Sequence, residues 1–320
     1  MSLEMRPASG PLSAARDPFG REVKSLRLSV TQQCDLACSH CHKEGQRPSV
    51  DEMTAAEIER LTRIGSSVGI RKVKLTGGEP LIRKDITEII SKISPLVREV
   101  SLTTNGLRLE HMAHSLKNAG LGRVNVSLHS LDPETFKRLC GRGQTVDVVR
   151  GIKAAIEAGL SPVKVNMVVL KDENEAEIAQ MIEFCAKTGA ILQLIEYESD
   201  RESSNGRDFV KRYVSLEALE ETLAQQSFET TMNELHRRRR YRIRNNGTSV
   251  AVEFVRPMHN TEFCANCTRI RMSSDGRLKP CLLSRSGEVD VLTPLRGGAT
   301  DAELRGLFLE AIANRRPYWS

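Results

Sequence analysis

Between Ser25 and Glu196 the chain repeats one unit, a short run of alternating polar and apolar residues followed by a helical pattern. The runs fall at about 25–30, 72–75, 99–103, 123–127, 163–169 and 190–196. Strand then helix, repeated, predicts parallel strands joined by crossover helices, an α/β fold. Two helices signal their starts: Thr54 and Glu57 are spaced as a capping box, and Asp132 precedes Pro133 at a first helical position.

The alternation also assigns faces, because successive side chains of a strand point to opposite sides. Leu26 and Leu28 share one face, Arg27 and Ser29 the other; Val73 and Leu75 oppose Lys72, Lys74 and Thr76. Val100 and Leu102 oppose Ser101 and Thr103, Val124 and Val126 oppose Asn125 and Ser127, and Val163, Val165 and Met167 oppose Lys164 and Asn166. In a barrel wrapped by helices the apolar faces pack outward, so the polar faces line the lumen. Filled barrels use bulky branched residues there. A lumen holding Arg27, Lys74 and Lys164 is instead open, with room for an anionic ligand.

Composition narrows the partners. A net charge of +6 over 320 residues with 4% aromatics gives little support to a stacking platform for single-stranded nucleic acid. No apolar run approaches a membrane span, and the longest β-like run, 163–170, is broken by Lys164 and Asn166. Residues 1–17 lack the apolar stretch of a secretory signal and read as a flexible tail, so a cytoplasmic location is expected. There, eight cysteines are metal ligands or core residues rather than disulfides. The expected organisation is a tail over 1–17, a barrel over 18–200 and a C-terminal portion over 201–320. The last contains a helix near 216–225, four arginines at 237–240 that read as a solvated face with a phosphate patch as the alternative, a strand near 250–255, a hairpin at Asp275-Gly276 and a closing helix near 301–314.

Cys34-x3-Cys38-x2-Cys41 directly follows the first strand-like run, where barrel enzymes build their active sites. Three thiolates can hold three irons of a cubane that normally takes four cysteines, leaving one iron open. A zinc site completed by His42 is the competing reading. The second triplet, Cys264-x2-Cys267-x13-Cys281, again lacks one ligand. Two incomplete sets are better explained by two open clusters than by two defective zinc sites. Arg269 and Arg271, two apart on a predicted strand, share a face beside it, and the planar forks suit bidentate binding of phosphate.

The first triplet, with Thr76-Gly77-Gly78-Glu79-Pro80 after the second run, resembles the radical S-adenosylmethionine (SAM) family. The resemblance implies that Gly78 and Glu79 hold the amino group of the methionine moiety, that His40 lies against the adenine, and that Ser127 contacts the ribose or amino-acid part. Cys267-Thr268-Arg269-Ile270-Arg271-Met272, then Lys279-Pro280-Cys281-Leu282-Leu283, is similar to the GTP 3′,8-cyclase family of molybdenum cofactor biosynthesis. Leu194-Ile195-Glu196 and Pro257-Met258-His259-Asn260 resemble its archaeal members, and the likeness runs from about residue 17 to 320.

That resemblance implies an incomplete (β/α)6 TIM-like barrel, two [4Fe-4S] clusters and SAM as cofactors, and radical cyclisation of GTP. Its substrate contacts would be Arg27, Lys74, Thr103, Lys164, Arg269, Ile270 and Arg271, with Arg27, Arg269 and Arg271 catalytic. It implies as partners an electron donor, a cyclic pyranopterin monophosphate synthase downstream, and a second copy in a homodimer. A peptide-modifying radical enzyme and a zinc-stabilised nucleic-acid module are the alternatives. The chain departs from the family in places: His40 stands where an aromatic usually precedes the third cysteine, Gln33 replaces a frequent arginine, Glu198 a usual methionine, and Gly297-Gly298 lie within the chain where bacterial members end in two glycines. Cys140 and Cys185 read as small apolar residues, and His129 as a hydrogen-bonded structural histidine near the site.

Overall fold

A computed structural model describes residues 15–49, 51–233, 235–284 and 286–319, without the side chain of Leu235. Residues 1–14 of the expected tail lie outside these; Ala15 to Asp17 are tied down, with Ala15 N–H on Val68 O at 2.9 Å and Asp17 paired to Arg21 and Arg315.

The six expected strands form as β1 (Ser25–Ser29), β2 (Lys72–Thr76), β3 (Glu99–Thr104), β4 (Arg123–Ser127), β5 (Val163–Val169) and β6 (Ile191–Glu196). Between them run α1 (Ala55–Ser67), α2 (Ile86–Ile93), α3 (Leu109–Asn118), α4 (Pro133–Cys140), α5 (Thr145–Glu157) and α6 (Ile178–Thr188). Thr54 and Glu57 make the capping box, and Asp132 caps Thr135 N with Pro133 in the first turn. After β6 come α7 (Arg207–Arg212), α8 (Glu217–Gln226), β7 (Ser227–Met232), β8 (Arg239–Asn245), β9 (Thr248–Val255), α9 (Thr261–Ala265), β10 (Arg269–Met272), β11 (Arg277–Lys279), β12 (Val289–Asp290), α10 (Leu292–Arg296) and α11 (Asp301–Ala313).

All the strands join one sheet, in the order β12-β11-β10-β1-β2-β3-β4-β5-β6-β9-β8-β7. β1 to β6 are parallel neighbours in sequence order; β10 adds in parallel beside β1 and β9 in parallel beside β6. The sheet does not close, so the barrel is incomplete, and the C-terminal strands extend both of its ends. The hairpin at Asp275-Gly276 forms, with Gly276 at φ 70° and its α-hydrogens against Leu292, where a side chain would collide.

The core lies between the sheet's outer face and the helices. Leu26, Leu28, Val73, Leu75, Val100, Leu102, Val124, Val126 and Val165 are buried there with Ile58, Leu61, Ile89, Ile90, Leu116 and Ile152 of the helices. Near-complete burial of such side chains stabilises by roughly 1.5–3 kcal/mol each. The polar faces consequently turn the other way.

Candidate active site

The inward faces of β1 to β6, with β10 and the arginines leading into β8, surround one cavity of about 1130 Å³. Ligand pockets commonly measure about 300–1,000 Å³, so this one has room for two ligands side by side. Neighbouring strands align its polar residues in register: Arg271 beside Arg27, Arg27 beside Lys74, Lys74 beside Ser101, and Thr103 beside Asn125, which is beside Lys164.

The first cysteine loop leaves β1 at one mouth of this cavity, and Cys34, Cys38 and Cys41 all line it. The loop is anchored from outside. Ala37 N–H reaches Cys140 O and Ser39 N–H reaches Leu139 O, each at 3.0 Å, and Arg212 Nη2 donates to Ser39 Oγ at 2.8 Å. The Gly77-Gly78 turn packs backbone to backbone under the loop: a Cβ on Gly78 would sit 2.0 Å from Gln33 O, and one on Gly77 2.6 Å from Thr31 O. Only glycine permits that approach. Glu79 is buried, and its carboxyl accepts from Thr104 Oγ1 (2.7 Å), Asn105 N (2.6 Å) and Leu81 N (2.9 Å). Burial and nearby Asp35 raise its pKa to about 7 against those donors. Glu79 therefore ties the Gly77-Gly78 turn to the exit of β3, with little acceptor capacity left for a ligand.

Burial raises the pKa of Cys34 to about 11 and lifts that of Cys41, while a thiol contact with buried Cys140, together with burial, lifts Cys38 far above the usual range. His40 lines the cavity edge-on to His129, with ring centroids 4.3 Å apart, and its buried Nδ1 has no partner among the described residues. Burial and His129 hold its imidazole neutral, so it offers a flat, uncharged ring. His129 accepts from Val168 N at 3.1 Å, which fixes that ring structurally, as expected. Cys185 is buried in the core; Cys140 is buried too, but it also borders the cavity under Cys38.

The second triplet stands across the cavity, with Cys264, Cys267 and Cys281 on its wall. Arg21 Nη1 holds Cys264 O at 2.8 Å, Arg315 Nη2 donates to Cys267 O, and Trp319 N–H donates to Cys264 Sγ at 3.4 Å. Burial disfavours the Cys267 thiolate, but the Arg315, Arg269 and Arg21 charges outweigh it and lower that pKa. Tyr318 and Trp319 line the cavity here, whereas Gly297 and Gly298, following α10, do not.

The same cavity is lined by a cluster of cations, of which Lys164 is buried and Arg27, Lys74, Arg269 and Arg271 are half-buried. Burial, then Arg271 and Arg27, push the pKa of Arg269 down; burial, then Arg123 and Arg27, do the same to Lys74, whose Nζ donates to the neutral Asn125 Oδ1 at 2.9 Å. Lys164 pairs with Glu253 at 2.5 Å, both buried, and Arg240 Nη2 meets the same carboxylate at 2.6 Å. Burial pushes Glu253 up, but Lys164, Arg238 and Arg240 together hold it down at about 2. Arg27 and Arg271 both bind Glu44. Burial is the first cause of these depressed pKa values and neighbouring like charges add to it; a bound polyanion would oppose both.

The structure thus gathers Arg27, Lys74, Thr103, Lys164, Arg269 and Arg271, His40, Gly78, Glu79 and Ser127, and all six cysteines of the triplets around one space. Ile270 is a correction. Its side chain is fully buried beside Leu26 in the core, because the pleat turns it away from Arg269 and Arg271, so only its backbone can meet a ligand. The arginine run is another: Arg238 and Arg240 line the cavity while Arg237 and Arg239 are exposed, as alternation into β8 requires. Glu44 and Glu253 escaped the sequence reading. Glu253 did carry a signal, a lone acid within the apolar run of β9, which must find a cation if buried.

The donor set suits iron–sulfur ligation. Both triplets open onto the cavity, the glycine cradle presses against the first loop, and its thiols keep their protons until a metal displaces them.

Residues 28–185 match the model of the radical SAM superfamily, and residues 190–320 match that of Molybdenum Cofactor Synthesis C. Relatives named "Probable GTP 3′,8-cyclase" are 51% identical in Thermococcus kodakarensis, over 95% of this chain and 99% of theirs, and 43% identical in Methanocaldococcus jannaschii, over 95% and 99%. The chain belongs to the GTP 3′,8-cyclase family of radical SAM enzymes. Among solved structures, Streptococcus suis SuiB bound to the precursor peptide SuiA is similar at TM-score 0.64 and 18% identity, covering 93% of this chain and 66% of that one. A tagged anSMEcpe with bound AdoMet gives 0.56 and 17%, covering 82% and 75%. These two share the fold. As a member of this family the chain is an enzyme that uses SAM and [4Fe-4S] clusters, which removes the zinc-stabilised nucleic-acid module.

Proposed function

We propose that this cavity converts GTP to 3′,8-cyclo-7,8-dihydroguanosine 5′-triphosphate, the radical cyclisation that begins molybdenum cofactor biosynthesis. The observation that carries the reading is the cluster of cations lining the same cavity as two cysteine triplets, joined to family membership. A peptide substrate leaves that cluster unexplained.

Cys34, Cys38 and Cys41 would hold the first cluster, and Cys264, Cys267 and Cys281 the second. When bound, the first cluster with SAM supplies the 5′-deoxyadenosyl radical that takes the hydrogen from ribose C3′. The chain's own residues position the reactants and exclude water. Gly78, Glu79 and Ser127 border the SAM side, and His40 offers its neutral ring to the adenine. Lys74, Lys164, Arg27, Arg269 and Arg271 would neutralise the triphosphate, the arginines also offering planar forks to guanine acceptors. Thr103 contributes a hydroxyl and Ile270 its backbone. C3′ then bonds to C8; the reductant supplies two electrons, one for the cleavage of SAM into methionine and the 5′-deoxyadenosyl radical and one that, with a proton, quenches the radical left on the guanine.

An external electron donor, a downstream synthase forming cyclic pyranopterin monophosphate, a homodimer and a cytoplasmic location belong to the same reading. No helix among the described residues is long and apolar enough to cross a membrane. The test is anaerobic incubation of the reconstituted protein with GTP, SAM and a reductant. We expect an isomer of GTP carrying the C3′–C8 bond, with one 5′-deoxyadenosine per product. Steady 5′-deoxyadenosine formation with GTP untouched would overturn the assignment.

A further inference from the structure

We propose that Glu44 is a positioning residue, which aims Arg27 and Arg271 at the nucleotide and ties that aim to the loop carrying the first cysteine triplet. The proposal rests on the GTP reading above.

Glu44 follows Cys41 by three positions, on a turn where Lys43, Glu44 and Gly45 take φ of 48°, 52° and 62°. Two non-glycine residues in succession in the left-handed region are uncommon, and such backbone persists where its surroundings over-determine it. Here they do. Glu44 N–H donates to His42 Nδ1 at 3.0 Å, Lys279 Nζ donates to Gly45 O at 2.7 Å, and Ser274 N–H donates to Gln46 Oε1 at 2.9 Å. A Cβ on Gly45 would lie 2.9 Å from Leu282 O, next to Cys281. The turn is therefore clamped between the first cysteine loop and the hairpin region that carries the third cysteine of the second triplet.

The carboxylate projects from this clamp between two arginines aligned Cα to Cα on β1 and β10. Arg27 Nε donates to Oε2 at 2.8 Å and Arg27 Nη2 to Oε1; Arg271 Nη1 donates to Oε2 at 2.7 Å, and Thr76 Oγ1 to Oε1 at 3.2 Å. Burial opposes ionisation of Glu44, yet Arg27, Arg271 and His42 together hold its carboxyl well below the usual range. With four donors on two oxygens it has no capacity left for substrate. Among the described hydrogen bonds, Nη1 of Arg27 and Nε and Nη2 of Arg271 make none, and both side chains border the cavity. Glu44 thus fixes one edge of each guanidinium and leaves the others for the ligand. Without it, two like charges side by side would splay apart.

A positioning role separates alignment from affinity. Glu44→Gln keeps the volume but loses the charge, and its amide N–H2 faces a guanidinium, so one arginine is released while the cavity becomes more positive. In the reconstituted holoenzyme we expect Glu44→Gln to keep its iron and its SAM cleavage. Its GTP Kd by equilibrium dialysis should be within threefold of the parent or tighter. The ratio of 5′-deoxyadenosine to cyclised product should rise at least tenfold, because the radical forms beside a misaligned ribose. Glu44→Asp, which restores the charge on a shorter stem, should give a ratio between the two. An unchanged ratio in an iron-replete Glu44→Gln enzyme would overturn the proposal. So would loss of iron in both variants, which would make Glu44 a structural brace of the cluster loop. A parent enzyme that fails to cyclise GTP sinks the functional reading itself, an outcome visible before any variant is compared.

Discussion

Lys164 and Glu253 meet at 2.5 Å on the cavity wall, reaching across β6 from β5 and β9, with 4% and 0% of their surfaces exposed. Burial depresses the Lys164 pKa to about 8 even though Glu253 opposes the shift. A triphosphate prefers the charged amine, so Lys164 contributes fully to GTP affinity below pH 8 and loses that contribution as pH rises through 8. Since one pKa unit corresponds to about 1.4 kcal/mol, or tenfold, GTP binding should weaken about tenfold from pH 7 to 9. Lys164→Arg keeps its charge throughout and should flatten that slope. Titration calorimetry across the pH range checks both; the same slope in the two proteins would clear Lys164 of the role.

Gly78→Ala should abolish SAM binding or cleavage while the protein still folds. A methyl group 2.0 Å from Gln33 O forces the cysteine loop away from the turn beneath it. Far-UV circular dichroism and SAM binding to the reconstituted protein separate loss of fold from loss of site. Normal SAM affinity would mean that the loop yields easily and the cradle is not specific.

Iron content distinguishes two clusters from one. The reconstituted protein should bind about eight irons, and replacing Cys34, Cys38 and Cys41 together by alanine should leave about four. Replacing Cys264, Cys267 and Cys281 should likewise leave about four, with SAM cleavage retained and GTP cyclisation lost. Retention of all eight by either variant contradicts the ligand assignment.

Arg238→Ala and Arg240→Ala should each weaken GTP binding about ten- to a hundredfold, the worth of a charge-assisted hydrogen bond of about 1.5–3 kcal/mol. Arg237→Ala and Arg239→Ala, on exposed side chains, should stay within about 0.5 kcal/mol of the parent. Equal effects at all four positions would indicate diffuse charge attraction rather than an inward face.

Those four arginines mark where sequence reasoning stops. Period two is visible in 25–29 because apolar Leu26 and Leu28 stand against polar Arg27 and Ser29, and the same contrast turns Lys74 and Lys164 inward with Arg27. In 237–240 every residue is arginine, so no contrast reveals the pleat, and Tyr241 and Ile243 further along β8 are the first to show it. The exposed strand β7 has no buried face to betray it. Pairing of β10 with β1 is a contact between opposite ends of the chain, which local pattern cannot supply. Glu44 was missed for that reason: its meaning depends on Arg271 arriving beside Arg27. Ile270 shows the converse, since a motif read as a block does not separate a side-chain contact from a backbone one where adjacent strand residues face opposite ways.

Deuterium transfer tests the central claim most directly. GTP labelled with deuterium at ribose C3′ is incubated anaerobically with the reconstituted enzyme, unlabelled SAM and reductant, and the 5′-deoxyadenosine is weighed by mass spectrometry. The account predicts one deuterium in the 5′-deoxyadenosine formed with each cyclised nucleotide, because the hydrogen removed from C3′ leaves on that carbon. Unlabelled 5′-deoxyadenosine accompanying full turnover of the labelled GTP would contradict it.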